Sequence, residues 1–404
     1  MASISALQAS IFILAYVSRS DALRFARACP WLSYLAPSAL PPKRSLLRQE
    51  PSSQFDLAVI GVGIIGATTA YLAHQKWPNW RLLLVDRSFV AGGATYYSAG
   101  LDIPYGRTPS QQRYSRMSTR IYRKLSLAMP DLPIYQIPFF GVVGKKTMDE
   151  VCSKFTTRNV RVATRQEEDQ LRHTYPDLVI AEDQLLLTGC TAQYSFPAAV
   201  ASRLVGQLTN KGFAKCWEGV EIENVHNQDG GFILSTSDGR TVSARHVVNA
   251  TGPWLLNGPG AGFAKDEGVR IKKIVALHAS RRALPNDPVL CFLDDDAFIL
   301  PISQRQEWLF SFTSQEWDVP PETTRLKITS DDRDLAFSIL HRYCPSIIPL
   351  CHGGRVFCDA YSCDRVPLVA QVPGMPNYVM AGACSGSGYR LAPGIAIEAL
   401  KQLS

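Results

Sequence analysis

Three glycines, Gly61, Gly63 and Gly66, stand in the spacing G-x-G-x-x-G, and Asp86 follows 20 positions after the last of them. That combination suits the binding of a dinucleotide. Gly61 permits a tight turn, Gly63 lets bare backbone approach a pyrophosphate, and Gly66 lets a helix lie close against a strand. Val62, Ile64 and Ile65 supply the rest of that backbone, whose N–H groups at a helix start favour phosphate oxygens. A carboxylate at Asp86 accepts both ribose hydroxyls and disfavours a 2′-phosphate. A second glycine-rich stretch runs from Gly92 to Gly100 through Ala94, Thr95 and Ala99. It can bring backbone N–H groups and the Thr95 hydroxyl to a phosphate or a ring edge, although taken alone it reads equally as a surface loop.

The surrounding elements must position these groups. Residues 55–60 (FDLAVI) are a short apolar run of strand character. The small-residue segment ATTAYLAHQK reads as a helix, and 81–86 (RLLLVD) as a second buried strand ending at Asp86. Together they form a βαβ unit of about 30 residues. Residues 111–129 have helical character with Arg and Tyr on the polar face. Phe196-Pro197 opens another helix, with Gly212 where a C-cap belongs. Residues 219–249 alternate and turn at Asp229-Gly-Gly and Asp238-Gly239, which predicts a three-stranded antiparallel meander whose first strand contains Val220. Residues 290–313 read as two or three strands. The chain closes with a strand at 378–381, a glycine-rich turn at 382–388 and a helix from about Pro393.

Composition limits the function classes. The chain has 404 residues, 46% apolar and 19% charged, which excludes wholesale disorder and fibrous folds and leaves room for two or three domains. No apolar run reaches the roughly 18 residues that a spanning helix needs. Residues 1–54 carry +4 of the formal +7, on Arg19, Arg24, Arg27, Lys43, Arg44 and Arg48 against Asp21 and Glu50. This short apolar then Arg-rich stretch reads as a targeting segment or a disordered tail, so the location is cytoplasmic, or organellar if the segment targets. The remaining charge is too even for a nucleic-acid surface. Ten cysteines without a C-x-x-C pair read as thiols in a reducing compartment rather than a disulfide framework or metal site.

Four blocks carry a family resemblance: DLAVIGVGIIGATTAYLA, LLLVDRSFVAGGATYYSAG, HVVNATGPW and NYVMAGACSGSGYRLAPGIA. In that order they resemble the D-amino-acid oxidase-like (DAO) family of FAD-dependent oxidoreductases, with its glycine oxidase, sarcosine oxidase and D-amino-acid dehydrogenase members. The resemblance implies an α/β protein, a two-domain FAD-binding Rossmann-like fold with an antiparallel-sheet substrate domain. Residues 55–105, 185–255 and 352–404 would bind FAD, and 106–184 and 256–351 the substrate. By the same resemblance, Gly61, Gly63 and Gly66 hold the pyrophosphate and Asp86 the ribose, with Arg87 beside adenine. Ala94, Thr95, Ala99 and Gly100 line the pyrophosphate and flavin side. Val220 meets adenine by its backbone, and Ala250, Thr251 and Gly252 close over the dinucleotide. Ser385, Gly386, Ser387 and Gly388 lie against the flavin, where N–H groups at a helix start stabilise negative charge.

By the same resemblance Arg390 occupies the place of a basic residue that binds a substrate carboxylate, for which a guanidinium fork is suited, while on its own it reads also as a surface Arg at a helix start. Tyr389, Tyr97 and Arg107 are further candidates for the pocket wall, and Arg305 reads equally as a solvated strand residue. The implied reaction is oxidation of a C–N bond in a small amino acid or secondary amine by hydride transfer to flavin N5, with oxygen or an unknown carrier as acceptor. FAD-dependent 2-hydroxy-acid oxidation and a flavin-binding assembly factor without turnover are the alternatives. The chain departs from the family pattern at Ser303–Glu307 and at Arg355–Asp364. Non-covalent FAD is the expectation, with a covalent bond through Cys358 as the other case. Lys272 and Lys273 are the candidates for a lysine that activates oxygen.

Overall fold

In the computed structural model, residues 54–321 and 326–403 are described. The targeting or tail segment at 1–54 falls almost wholly outside them. Two large sheets organise the described chain.

The first sheet has eight strands. Gln54–Ile60 lies at its centre, parallel to Leu82–Val85 on one side and to Thr241–Asn249 on the other. Ala214–Trp217 and Tyr378–Gly382 extend the parallel set outwards, and Leu368–Gln371 adds an antiparallel edge. The hairpin Ile222–Gln228/Gly231–Thr236 joins Thr241–Asn249 antiparallel, so the predicted meander feeds its last strand into the parallel sheet. Val220 sits just before the first meander strand rather than within it. Its N–H donates to the Asp86 carbonyl at 3.0 Å, a turn contact that delays ladder pairing until Ile222.

Helices cover the central strands, whose residues are buried on both faces as a parallel sheet requires. The helix Ile64–Lys76 packs Ala67, Ala70 and Ala73 into the core, and Thr68 and Thr69 bury their hydroxyls by donating to the carbonyls of Ile64 and Ile65. Thr108 caps the helix Pro109–Ala128, accepting from the Gln111 amide. Tyr114 and Tyr122 of that helix lie on its buried face, at an i, i+8 spacing with Ser118 between them. Of the Arg and Tyr expected on the polar face, the arginines are exposed and these two tyrosines are not. Pro197–Thr209 and Gly388–Lys401 complete this layer.

The last helix starts at Gly388, five residues before the expected Pro393. Proline has no N–H and leaves the carbonyl four residues back without its helical donor. Here that carbonyl belongs to Tyr389, and the Tyr122 hydroxyl donates to it at 2.6 Å. Next to the proline, Gly394 lets the two helices touch: a Cβ there would stand 2.7 Å from the Tyr114 carbonyl oxygen, and the Gly394 amide donates to Ser118 Oγ at 3.0 Å.

The second sheet has nine strands, in the order Cys351–Tyr361, Arg270–Ala279, Glu307–Phe312, Ala297–Ile302, Val289–Phe292, Ile134–Gly144, Gln184–Thr188, Arg161–Val162, with Thr191–Ser195 also on Ile134–Gly144. Pairing is antiparallel except between Val289–Phe292 and Ile134–Gly144. The 290–313 region thus supplies three strands. Residues 185–195 and 352–361, assigned to the FAD-binding part in the sequence partition, lie largely in strands of this second sheet. The pairing of Arg270–Ala279 with Cys351–Tyr361 along nearly their whole length holds the latter there.

Candidate functional site

A cavity of about 490 Å³ opens at the carboxyl ends of the parallel strands, where Ile60, Val85, Asn249 and Gly382 all reach its wall. Ligands of open α/β sheets bind in this crevice. Its far wall comes from the second sheet, through Ile274, Cys291, Phe312, Phe357, Asp359 and Tyr361.

At the first turn, Gly61 has φ +85° and its position leaves no room for a side chain, since a Cβ would stand 2.6 Å from the Ala250 carbonyl oxygen. A Cβ on Gly66 would fall onto the carbonyl oxygen of Gly61. Gly63 meets only Thr95 Oγ1, at 3.0 Å, so its Cα faces open space in the cavity. Ile64 and Ile65 line the cavity, whereas Val62 and Gly66 stand behind it. Val62 acts through its backbone: its N–H donates to Asp86 Oδ2 at 2.8 Å. The Ser88 amide donates to Asp86 Oδ1 at 2.9 Å, and burial raises the Asp86 pKa against these bonds. Arg87 lies 5.0 Å over the Trp254 ring at the rim and 3.7 Å from Glu221.

Thr95 takes a position that its sequence context does not specify. Its Oγ1 accepts from the Ile64 amide at 2.9 Å, so the hydroxyl caps the helix start and keeps its own hydrogen for the cavity. Ala94, Ala99, Gly100, Val220, Thr251 and Gly252 all line the cavity. The bare Gly63 backbone and the helix start, which donate, and the Asp86 carboxylate, which accepts, are the groups that a dinucleotide such as FAD requires, and the residues present fit it.

The opposite end is formed by the turn 383–388. Ala383 and Ser385 hold φ +50° and +51°, and Gly386 has φ +79°. Left-handed non-glycine residues cost about 1–3 kcal/mol each and concentrate at functional sites. Gly386, Ser387 and Gly388 line the cavity. The Gly386 amide, expected to face a cofactor, donates instead to Asp359 Oδ2 at 3.0 Å.

Tyr389 is buried, stacks on Tyr122 at 4.9 Å, and presents its side to the cavity. Arg390 reaches the same cavity. Its Nη2 donates to Ser387 Oγ at 2.8 Å, and its Nε has no hydrogen-bond partner among the described residues. Burial holds the Arg390 pKa below its usual value, opposed by the charge of Asp102. Asp102 is buried beside it and is pushed up to about 7 by desolvation, while Gln193 donates to it at 2.8 Å. Arg107 also lines the cavity but is ion-paired with Asp296, which Thr313 and Arg365 share. Tyr97 stands outside, stacked on Phe357 at 5.7 Å. Arg305 lies over Phe196, away from the cavity wall.

The two lysines separate cleanly. Lys273 is paired with Glu316 at 2.8 Å and Asp332 at 2.7 Å, a structural role. Lys272 points to the cavity side of the strand, with its ammonium 4.7 Å from the Trp317 ring centre and 5.2 Å from that of Tyr361. Strand alternation also decides Cys358. Phe357 and Asp359 face the cavity, whereas Cys358 is buried in the apolar cluster behind them with Phe55, Ile271 and Met380. Cys358 is not among the residues that line the cavity.

Sequence reasoning missed Asp359 and Asp296, which line the cavity, and Asp102, whose charge acts on Arg390 without lining it. Asp359 falls in the segment that departs from the family pattern, and that departure was the available signal. Asp296 and Asp102 become site residues only through long-range packing.

The family model DAO, described as FAD dependent oxidoreductase, matches residues 56–401. Among curated proteins, none matches the sequence. Solved structures with the same fold include glycine oxidase from Geobacillus kaustophilus, at 16% identity and TM-score 0.69, covering 87% of this chain and 94% of that one. L-proline dehydrogenase from P. horikoshii aligns at 19% identity and TM-score 0.71, covering 85% and 91%. L-alpha-glycerophosphate oxidase from Mycoplasma pneumoniae, with FAD bound, aligns at 16% and 0.70, covering 87% and 94%.

Proposed function

From the chain's membership of the DAO family of FAD-dependent oxidoreductases, we propose that it oxidises the C–N bond of a small amino acid or secondary amine, giving an imine that water hydrolyses. The observation that carries this reading is one continuous cavity. It holds the dinucleotide turn at Gly61–Ile65 at one end and, at the other, Arg390 with an unpartnered Nε. When bound, FAD supplies a two-electron acceptor for the substrate hydrogen.

The protein's own residues do the rest. Gly63, the helix start and Thr95 receive the pyrophosphate, and Asp86 the ribose, with Arg87 and Val220 at the adenine end. Ala94, Ala99, Gly100, Thr251 and Gly252 close around the dinucleotide, and Gly386, Ser387 and Gly388 flank the flavin. FAD is held without a covalent bond. Arg390, kept in place by Ser387 Oγ, binds the substrate carboxylate through its fork, and the Tyr389 ring walls the pocket. Holding the amino acid in one orientation supplies much of the rate gain.

A 2-hydroxy acid would call for a proton acceptor such as histidine, and no histidine lines the cavity among the described residues. The test is an anaerobic titration of the full-chain holoprotein with glycine, N-methylglycine, D-alanine and L-proline, and separately with lactate and glycerol 3-phosphate. Bleaching by the amines alone supports the proposal. Bleaching by the hydroxy compounds alone, or by nothing in the panel, refutes it, the latter in favour of a flavin protein without turnover. Denaturation in acid should leave the yellow colour in the supernatant.

A further inference from the structure

Asp359 is a carboxylate inside the cavity without a cation of its own. It stands on the cavity face of Cys351–Tyr361, between Phe357 and Tyr361, and all three line the wall. Among the described residues no Lys, Arg or His lies within ion-pair distance. Lys272 is its register partner across the strand pair, yet that ammonium lies over the Trp317 and Tyr361 rings instead. The backbone accounts for only part of its hydrogen-bonding capacity: Ala360 donates to Oδ1 at 2.9 Å and Gly386 to Oδ2 at 3.0 Å. Each oxygen keeps a further lone pair. A half-buried carboxylate in the cavity wall without a counter-charge carries a desolvation cost, and a cation delivered by a ligand offsets it. The strained turn 383–388 fixes the carboxylate through the Gly386 amide, so its aim into the cavity is set by the fold.

We propose that Asp359 receives the ammonium group of the substrate and takes its proton. The step balances as follows. One N–H bond breaks and an O–H bond forms on Asp359, leaving a neutral amine and a neutral carboxyl group. The freed nitrogen lone pair would then become the second C–N bond as the Cα–H pair leaves as hydride, for which bound FAD would be the two-electron acceptor, and the product would be an iminium ion. The carboxyl proton returns to water when the product leaves. The inference rests on the amine-oxidation reading for its chemistry, and on the cavity alone for cation binding. Burial pushes the Asp359 pKa up to about 6, so it is mostly ionised at neutral pH and close enough to exchange a proton. The groups facing it are Lys272 across the strand pair, Tyr361 on its own strand, Cys384 in the glycine-rich turn, and the Arg107–Asp296–Arg365 cluster around Tyr361.

The test uses two ligands of one shape. Trimethylglycine and 3,3-dimethylbutanoate share a carboxylate and differ only in a quaternary nitrogen for a carbon. Neither is oxidisable as an amine, and binding of each is read from the flavin absorbance of the full-chain holoprotein. The wild type should prefer trimethylglycine by roughly tenfold or more, the factor given by a charge contact of about 1.4 kcal/mol. Asp359→Asn should abolish that preference, and in the wild type it should fade as pH falls through about 6, a measurement that needs no variant. No preference in the wild type, or its survival in Asp359→Asn, overturns the proposal.

With an oxidised amine, Asp359→Asn should slow anaerobic flavin reduction at neutral pH. The deficit should narrow as pH rises towards about 10, where free amine is abundant. The two readings fail separately. Amines that bleach the flavin equally well in both proteins sink Asp359 and leave amine oxidation standing. A preference that depends on Asp359 with no bleaching by any amine leaves the cation site standing and sinks the oxidation.

Discussion

Tyr122→Phe removes one oxygen atom and tests how the last helix begins. The phenyl ring keeps its stack on Tyr389, so packing changes little, but the Tyr389 carbonyl loses the donor that stands in for the missing Pro393 N–H. A buried carbonyl left without a partner costs about 1–3 kcal/mol. Both tyrosines are buried, at 1% and 4% exposure, so water cannot readily replace the hydroxyl. Pro393→Ala restores an N–H that points at the same carbonyl through the ordinary i→i−4 bond. In that background Tyr122→Phe should cost far less, giving a coupling energy of about 1–2 kcal/mol in a double-mutant cycle. Urea unfolding of the four proteins, at fixed cofactor concentration, measures it. Equal costs of Tyr122→Phe in both backgrounds, within about 0.5 kcal/mol, would refute the account.

Gly66→Ala places a methyl on the Gly61 carbonyl oxygen and must part helix from strand; the purified protein should come out colourless, as absorbance will report. Lys273→Met strips a buried cation from Asp332 and should destabilise by about 3–5 kcal/mol in urea unfolding. Lys272→Met loses only its two ring contacts, worth about 0.5–2 kcal/mol each, and should fold. If oxygen is the acceptor, stopped-flow reoxidation should slow in Lys272→Met by about 100-fold, the scale for loss of one stabilising charge. Asp102 has a folded-state pKa of about 7, above the unfolded value of 3.8. The native state then binds more protons between these values, so its contribution favours folding at low pH and is lost as pH rises from about 4 to 7. Asp102→Asn should flatten that part of the stability–pH curve; an unchanged slope would show that the group does not titrate there.

The nucleotide half was readable because local sequence determines it. A strand, a glycine turn, a helix and a second strand fall within about 30 residues, and the Gly66 contact with the Gly61 carbonyl lies inside that unit, although Gly61 and Gly63 also answer to Ala250 and Thr95 further along the chain. The meander was readable for the same reason, through its Asp-Gly turns. The second sheet resisted because its partners are far apart in sequence: Arg270–Ala279 pairs with Cys351–Tyr361, and Val289–Phe292 pairs in parallel with Ile134–Gly144. The helix start at Gly388 was hidden because a tyrosine 271 residues before Pro393 supplies the missing bond. Tyr114 and Tyr122 were placed outward on polarity alone, although a long helix can bury aromatic rings whose hydroxyls find partners. Among the site residues, Arg390 was found by its neighbours in the chain. Asp102, Asp296 and Asp359 acquire their meaning from neighbours that only the fold assembles.

The hydrogen bond from Ile64 to Thr95 and the grip of Val62 and Ser88 on Asp86 join the first turn, the second strand and the following loop through the protein's own groups. Little conformational freedom remains to be surrendered when the nucleotide docks, and association should resemble a key entering a finished lock. Freshly stripped apoprotein should then show nearly the same amide exchange in 61–97 as the loaded form, and should recolour in a single fast phase.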